Sequence, residues 1–437
     1  HSIFFSMLKN MKIGAGLLIL AAFLILPLRS MAQQPELSPG FEKIYEWIAK
    51  KDFFTARDLF LADGQALSPM EQQLSAAFID NAFNRPAESN AHIERLFLEF
   101  KAQLPDSVLR ELYQIKHQNA VRLYQYGEAA EALNALLNEH PEGLTEKDED
   151  DVRNSLKLWN AVKDVPSQEV LLGGGVEMQM VKDKAGLNNL EVSSGEITEL
   201  FIFDTGANIS TVTLSTAERF GMKMTADTIE VGTITGQSVF ARLALCEHLR
   251  LGQAVIRNAI FLVLEDEALS FPQVDYHIRG IIGFPVMEAL GEIQISREGV
   301  FRVPLEETPF PGEQNLAMDK LQPLIRIDGR HYRFDTGADR SLLFRPYFEA
   351  FRKEIEEHYT LAEVRYGGAG GVQTFQGYSL PFRASIQGKS IEIEQVDLLV
   401  EDIREGWSAM YGNIGQDLIG AFEMMTINFN RMFIRFD

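Results

Sequence analysis

Cysteine is nearly missing from this sequence. A single residue, Cys246, among 437 excludes an internal disulfide framework and any thiolate zinc cluster. Histidine is sparse too. The eight histidines are scattered, with no His-Glu-x-x-His and no pair at i, i+4, which argues against a zinc hydrolase site and leaves carboxylate chemistry open. No cofactor is expected. Positive charge is in deficit, with 41 Lys plus Arg against 62 Asp plus Glu. The net charge of −21 speaks against nucleic acid or an anionic membrane as partner, because phosphates would be repelled. What is present is an ordinary globular balance, 46% hydrophobic and 24% charged, in a chain too long for one core; two or three domains are expected.

The N-terminus reads as an address. Lys9 and Lys12 precede the apolar run Ile13 to Leu28, and Ser30-Met31-Ala32 follows. This pattern predicts a secretory signal over residues 1–32, cleaved after Ala32, and a mature protein in the periplasm or outside the cell. The run is short for a membrane span, so an uncleaved anchor is the alternative. No cysteine follows it, so a bacterial lipoprotein is not supported, and Met11 is a sensible initiator.

Residues 36–165 carry apolar side chains at helical spacing. Phe41, Ile44, Tyr45 and Ile48 form one stripe; Ile93, Leu96, Phe97 and Phe100 a second; Val152, Leu156 and Trp159 a third. Breaks at Asp63-Gly64, Arg85-Pro86, Leu104-Pro105, Tyr126-Gly127 and His140-Pro141 divide the region into antiparallel helices of roughly 12–18 residues. Thr145 is a candidate cap for the acidic run that follows it. The segment from Tyr126 to Leu133 looks like the second helix of a tetratricopeptide repeat, but the period is not clean. The reading is an α-hairpin array of that general kind, either a plain packed domain or a module that binds a protein partner or gates a site.

After Pro166 the pattern changes to short β-branched and aromatic runs punctuated by glycine. One segment there occurs twice. Phe203-Asp204-Thr205-Gly206-Ala207-Asn208 returns as Phe334-Asp335-Thr336-Gly337-Ala338-Asp339, offset by 131 residues. Gly280-Ile281-Ile282-Gly283 ends 79 residues after Asp204, and Gly412-Asn413-Ile414-Gly415 ends 80 after Asp335. Between these landmarks each copy has a glycine-rich turn, Gly232 to Gly236 and Gly367 to Gly371, and a Glu-Asp pair closing a strand. A lone Asp-Thr-Gly is expected in roughly one chain in ten of this length and then marks a turn. Four landmarks in matched order indicate a duplicated β unit.

The chemistry follows from the pattern. An apolar strand delivers each aspartate to the floor of a cleft, and the glycine after it lets a second backbone approach closely. If the copies pack about a pseudo-twofold axis, Asp204 and Asp335 meet. Two carboxylates a few ångströms apart cannot both ionise easily, so they share a proton. One then acts as general base on water and the other as general acid.

The two Asp-Thr-Gly-Ala segments with their downstream hydrophobic-hydrophobic-Gly elements resemble the pepsin/retropepsin family of aspartic proteases, over roughly Val170 to Asp437. The second copy is the closer match. The resemblance implies an all-β, bilobal, closed-barrel pseudo-dimer with lobes at 170–305 and 314–437, and with the N-terminal α-helical hairpin array before it the chain is expected to be multidomain α and β. It implies an aspartic endopeptidase, complete as a monomer, acting on peptide or protein substrates with Asp204 and Asp335 as the catalytic dyad. Thr205, Gly206, Thr336 and Gly337 would support the dyad, the threonines by interlocking across the axis. Ala207, Asn208, Ala338, Asp339, Gly236 and Gly370 would contact substrate, and Ser210 and Ser341 match a further polar position. Departures exist. The arginine that follows the downstream glycine in retroviral enzymes is replaced by Phe284 and Gln416, and the first glycine turn lacks the flap tyrosine, whereas Tyr366 sits beside the second. A peptide-binding scaffold with weak or no catalysis is the alternative.

Weaker signals have plainer readings. The glycine turns lack the Gly-Lys-Ser/Thr ending of phosphate loops and read as a flap or as hairpin tips. Gly173-Gly174-Gly175 reads as a linker or bulge. Cys246 is expected to be buried and inert, and His331 to lie on the surface.

Overall fold

The computed structural model describes residues 37–232, 238–368, 371–402 and 407–437. The proposed signal segment, the tip of the first glycine turn with Gly236, and Gly370 in the second lie outside the described residues. Glu36–Asp437 forms one compact unit. Among the described residues no helix is long and apolar enough to cross a membrane.

Seven helices come first: α1 Pro39–Ala49, α2 Phe53–Asp63, α3 Pro69–Ala82, α4 Pro86–Glu99, α5 Asp106–Arg122, α6 Tyr126–Glu139 and α7 Glu146–Ala161. Their starts follow capping chemistry. Ser68 with Glu71 and Thr145 with Asp148 form capping boxes, and α1, α3 and α4 have proline in the first turn. The hairpins α1/α2, α3/α4 and α5/α6 turn in one way. Lys51, Asn84 and Tyr124 take left-handed φ of 61°, 56° and 57°. The next N–H then bonds five residues back, Asp52 to Trp47, Arg85 to Asp80 and Gln125 to Ala120, closing the helix end. The break expected at Tyr126-Gly127 therefore falls two positions earlier, at Tyr124-Gln125, and Gly127 lies within α6.

Those same three turn residues hold the helices to the β-rich part. Lys51 pairs with Asp319 at 3.0 Å, the Asn84 amide donates to the Phe429 carbonyl at 3.0 Å, and the Tyr124 hydroxyl donates to the Pro285 carbonyl at 3.0 Å. This packing covers His331, which is buried rather than on the surface. Its Nε2 pairs with the Ala409 carbonyl at 2.8 Å, and its Nδ1 stands 4.0 Å from Asp52 at the start of α2.

The two β copies match strand for strand. Ile197–Phe203 runs parallel to Gly280–Ile282, with Ile202 opposite Ile281 and Phe203 opposite Ile282. Arg330–Phe334 runs parallel to Gly412–Ile414, with Arg333 opposite Asn413 and Phe334 opposite Ile414. In each copy the short glycine strand lies antiparallel to the segment after the aspartate turn, Ser210–Thr213 or Leu342–Leu343. That segment in turn runs parallel to a long strand, Ala254–Leu264 or Lys389–Leu399. Parallel strands covered on both faces need continuous apolar runs, and Phe201, Ile202 and Phe203 are all buried. Leu200, next to them in the same apolar run, is 41% exposed.

A five-stranded sheet joins the ends of both copies. Its centre is Glu292–Ser296 against Met424–Asn428, antiparallel, with Ile293 opposite Ile427. Gly173-Gly174-Gly175 carries the chain from the strand Glu169–Leu172 on the first copy's sheet to Val176–Gln179 on this joining sheet. Cys246 is buried, and burial pushes its thiol up to about 11.

Candidate active site

The aspartates sit where the parallel strand pairs end. The Asp204 N–H donates to the Ile282 carbonyl at 3.1 Å, and the Asp335 N–H to the Ile414 carbonyl at 2.9 Å. Each turn then closes on itself. Ala207 N–H reaches the Asp204 carbonyl at 3.2 Å, and Ala338 N–H the Asp335 carbonyl at 3.3 Å. The downstream glycines brace both turns from below. Gly283 N–H donates to Ser210 Oγ and Gly415 N–H to Ser341 Oγ, both at 3.0 Å. A Cβ at either glycine would run into the backbone of the aspartate turn in its own copy, so only glycine fits.

Across the axis the two turns interlock. Thr205 N–H donates to Thr336 Oγ1 at 2.9 Å, and Thr336 N–H to Thr205 Oγ1 at 3.0 Å. Each hydroxyl then donates to the strand of the other copy, Thr205 to the Phe334 carbonyl and Thr336 to the Phe203 carbonyl, both at 3.0 Å. Both threonines are buried, so the four bonds form out of reach of water.

The interlock brings the carboxyls together. A Cβ built on Gly206 would lie 2.7 Å from Asp335 Oδ1, and one on Gly337 would collide with the Asp204 carboxyl. Glycine at these two positions leaves the space that the opposite carboxyl fills. Gly206 N–H donates to Asp204 Oδ1 at 2.7 Å and Gly337 N–H to Asp335 Oδ1 at 3.0 Å. Both aspartates are half-buried. Burial pushes the Asp204 carboxyl well above the usual carboxylate range, the Asp335 charge and a hydrogen bond from one carboxyl to the other add to this, and the Gly206 N–H and Arg333 oppose it.

The other expected residues fall as follows. Ala207 and Ala338 lie in the turns, and their carbonyls accept from Phe284 and Gln416 N–H, both at 2.9 Å. Asn208 and Asp339 are exposed. Gln322 donates to Asn208 Oδ1 at 2.6 Å and to the Gly206 carbonyl at 2.8 Å.

Several contacts around the site were not anticipated. Gln416 Nε2 donates to the Thr336 carbonyl at 2.8 Å, and the Asp417 carboxylate accepts from Ser341 N–H and Oγ–H at 2.8 and 2.6 Å. These two occupy the place of the missing arginine and fasten the second turn. Arg333, buried, bonds Gln322 and stacks on Trp407 with its guanidinium 4.1 Å from the ring centre. Asn413 Nδ2 donates to Asp335 Oδ2 at 3.2 Å. The signal for these last two was in the repeat itself, since aligning the copies sets Arg333 on Ile202 and Asn413 on Ile281. Among the described residues no group of three His, Cys, Asp or Glu is placed to hold a metal ion.

The two-copy β fold thus sets one aspartate from each copy close enough for a hydrogen bond between their carboxyls. Residues 190–286, the first copy from the strand before its aspartate strand to just past the downstream glycine, match a family model described as aspartyl protease, which supports a hydrolase of the protease class. No curated protein matches the chain.

Proposed function

We propose that this protein is an aspartic endopeptidase of the pepsin/retropepsin kind, in which Asp204 and Asp335 activate one water. The observation that carries the reading is the reciprocal Thr205–Thr336 interlock, which holds the two carboxyls side by side from opposite copies. The water oxygen bonds to the scissile carbonyl carbon while one of its protons passes to the ionised carboxylate. The proton of the other carboxyl passes to the carbonyl oxygen. The resulting gem-diol collapses as a proton is delivered to the amide nitrogen and the C–N bond breaks. Each copy is read as a lobe and the first as a closed barrel, in support of which its strand path returns on itself through the pairing of Ser238–Leu251 with Ala254–Leu264. The helices are read as a repeat-like array, supported by their three equivalent hairpin turns. The site of action is read as periplasmic or extracellular, from the N-terminal pattern.

The test is cleavage of unfolded protein and of a peptide library, read by mass spectrometry, for the wild type and for Asp204→Asn and Asp335→Asn. Both variants should lose cleavage and keep the wild-type circular dichroism. A statine-type inhibitor should bind the wild type far more tightly than a substrate-like peptide does. Cleavage retained in both folded variants would sink the assignment.

A further inference from the structure

A perfectly twofold site would give each aspartate an equal claim on the shared proton, and most of this site is twofold. The backbone N–H of each aspartate, the glycine N–H on each Oδ1 and the threonine bonds all have counterparts in the other copy. The symmetry breaks next to Asp335. In the first copy the paired strands put Ile202 opposite Ile281. In the second they put Arg333 opposite Asn413. Two hydrocarbon side chains are exchanged for a guanidinium and an amide.

The amide reaches a carboxyl oxygen. Asn413 is buried, and its Nδ2 donates to Asp335 Oδ2 at 3.2 Å while Gly337 N–H holds Oδ1 at 3.0 Å. Asp335 therefore has an N–H on each oxygen. On the first copy Gly206 N–H holds Asp204 Oδ1, and Ile281 has no proton to offer.

We propose that Asn413 is a positioning residue that places the single negative charge of the pair on Asp335 and leaves the proton on Asp204. This rests on reading the pair as the catalytic dyad. An N–H bond to an anionic oxygen is roughly twice as strong as one to a neutral acid, so a donor held by the fold favours the carboxylate it faces. The remaining charged groups do not decide the matter. Arg333, on the Asp335 strand, favours an anion on Asp204, but burial and the Asp335 charge outweigh it there. Asp417 is occupied by Ser341, and Asp339 is exposed. The elevated proton affinity of Asp204 agrees with its holding the proton. The consequence is a division of labour: Asp335 takes the proton from water, Asp204 protonates the carbonyl oxygen, and the substrate carbonyl is turned toward the first copy.

The test needs no substrate. The full chain is labelled with 13C at the aspartate side-chain carboxyls, the two signals are assigned with D204N and D335N, and both are followed from pH 3 to 9 in the wild type, Asn413→Ile, Ile281→Asn and the double swap. Asn413→Ile installs the side chain the first copy already accommodates. Expected is a wild-type window in which Asp335 shows the carboxylate shift and Asp204 the acid shift. In Asn413→Ile the lower of the two apparent titrations should move up by about one unit and the charge should spread over both signals. In the double swap the charge should sit on Asp204. Ile281→Asn alone should bring the two signals toward equality. Wild-type charge on Asp204, or a folded Asn413→Ile or Ile281→Asn with unaltered titration, would overturn the proposal. The acid limb of kcat/KM should move with the Asn413→Ile titration. If the wild type cleaves and the dyad variants do not, an unmoved titration defeats this inference alone. If the dyad variants still cleave, the endopeptidase mechanism fails while the titration still reports where the charge lies.

Discussion

The interlock beneath the aspartates predicts a large and chemically specific loss of stability on replacing Thr205 with valine. Valine fills nearly the same volume, so packing changes little, but the hydroxyl is gone. Two buried groups then lose a partner: the Thr336 N–H, which donates to Thr205 Oγ1, and the Phe334 carbonyl, which accepts from it, each at 3.0 Å. A buried polar group left without a partner costs about 1–3 kcal/mol, so the pair is expected to cost about 2–6 kcal/mol. That is a large share of the roughly 5–15 kcal/mol that holds a folded protein together. Thr205→Ser is the control. It keeps both bonds and loses one methyl, for about 1 kcal/mol. Guanidinium unfolding followed by fluorescence and circular dichroism should place the valine variant's midpoint clearly below that of serine. Thr336→Val removes the two mirror bonds and should behave alike, and the double variant should lose less than the two singles combined, because the two pairs of bonds fasten the same turns and are coupled. Equal midpoints for Thr205→Val and Thr205→Ser would refute the argument, since the two differ chiefly in those bonds.

Gly337→Ala should lower kcat/KM by about a hundredfold or more by pushing the Asp204 carboxyl out of place, while the unfolding midpoint moves less; cleavage at the wild-type rate would contradict the close approach. Asp204→Asn should stabilise the protein at pH 7. The Asp204 carboxyl is raised above its ordinary 3.8, so the native state keeps a proton that the unfolded chain has lost, and wild-type stability falls as pH rises through that window; the advantage of the variant should shrink toward pH 4 in thermal unfolding. Glu71→Gln should act in the opposite sense. Burial opposes the Glu71 charge, but the N–H groups of Ser38 at 2.6 Å and Ser68 at 2.9 Å outweigh it and hold the carboxyl below its ordinary 4.5. Its contribution is present above about pH 4.5 and lost on acidification, so the variant should cost about 1–2 kcal/mol at pH 7 and little at pH 3.

What could be read from the sequence was what repeats. The Asp-Thr-Gly pair and the glycine elements 79 and 80 residues on are local patterns with one geometric solution, because each glycine is fixed by an atom that must pass close to it. The helical stripes were legible for the same reason, as 3.6-residue periodicity reports a buried face. The hairpin turns were harder. Lys51, Asn84 and Tyr124 share one backbone state but no residue type, and spacings of 33 and 40 residues hide the repeat. His331 was misread because the strand pattern gave no sign that α2 would cover its outer face. The residues that distinguish the two carboxyls were missed for a deeper reason. A search for duplication rewards sameness, and Arg333 and Asn413 are where the copies differ, set against Ile202 and Ile281. Fusion of two copies into one chain is what permits that difference, since two identical chains would place the same residue on both sides of the axis. Chemistry that needs one acid and one base from two identical side chains gains from such a break, and the position facing the carboxyl oxygens is where one polar substitution has the greatest effect.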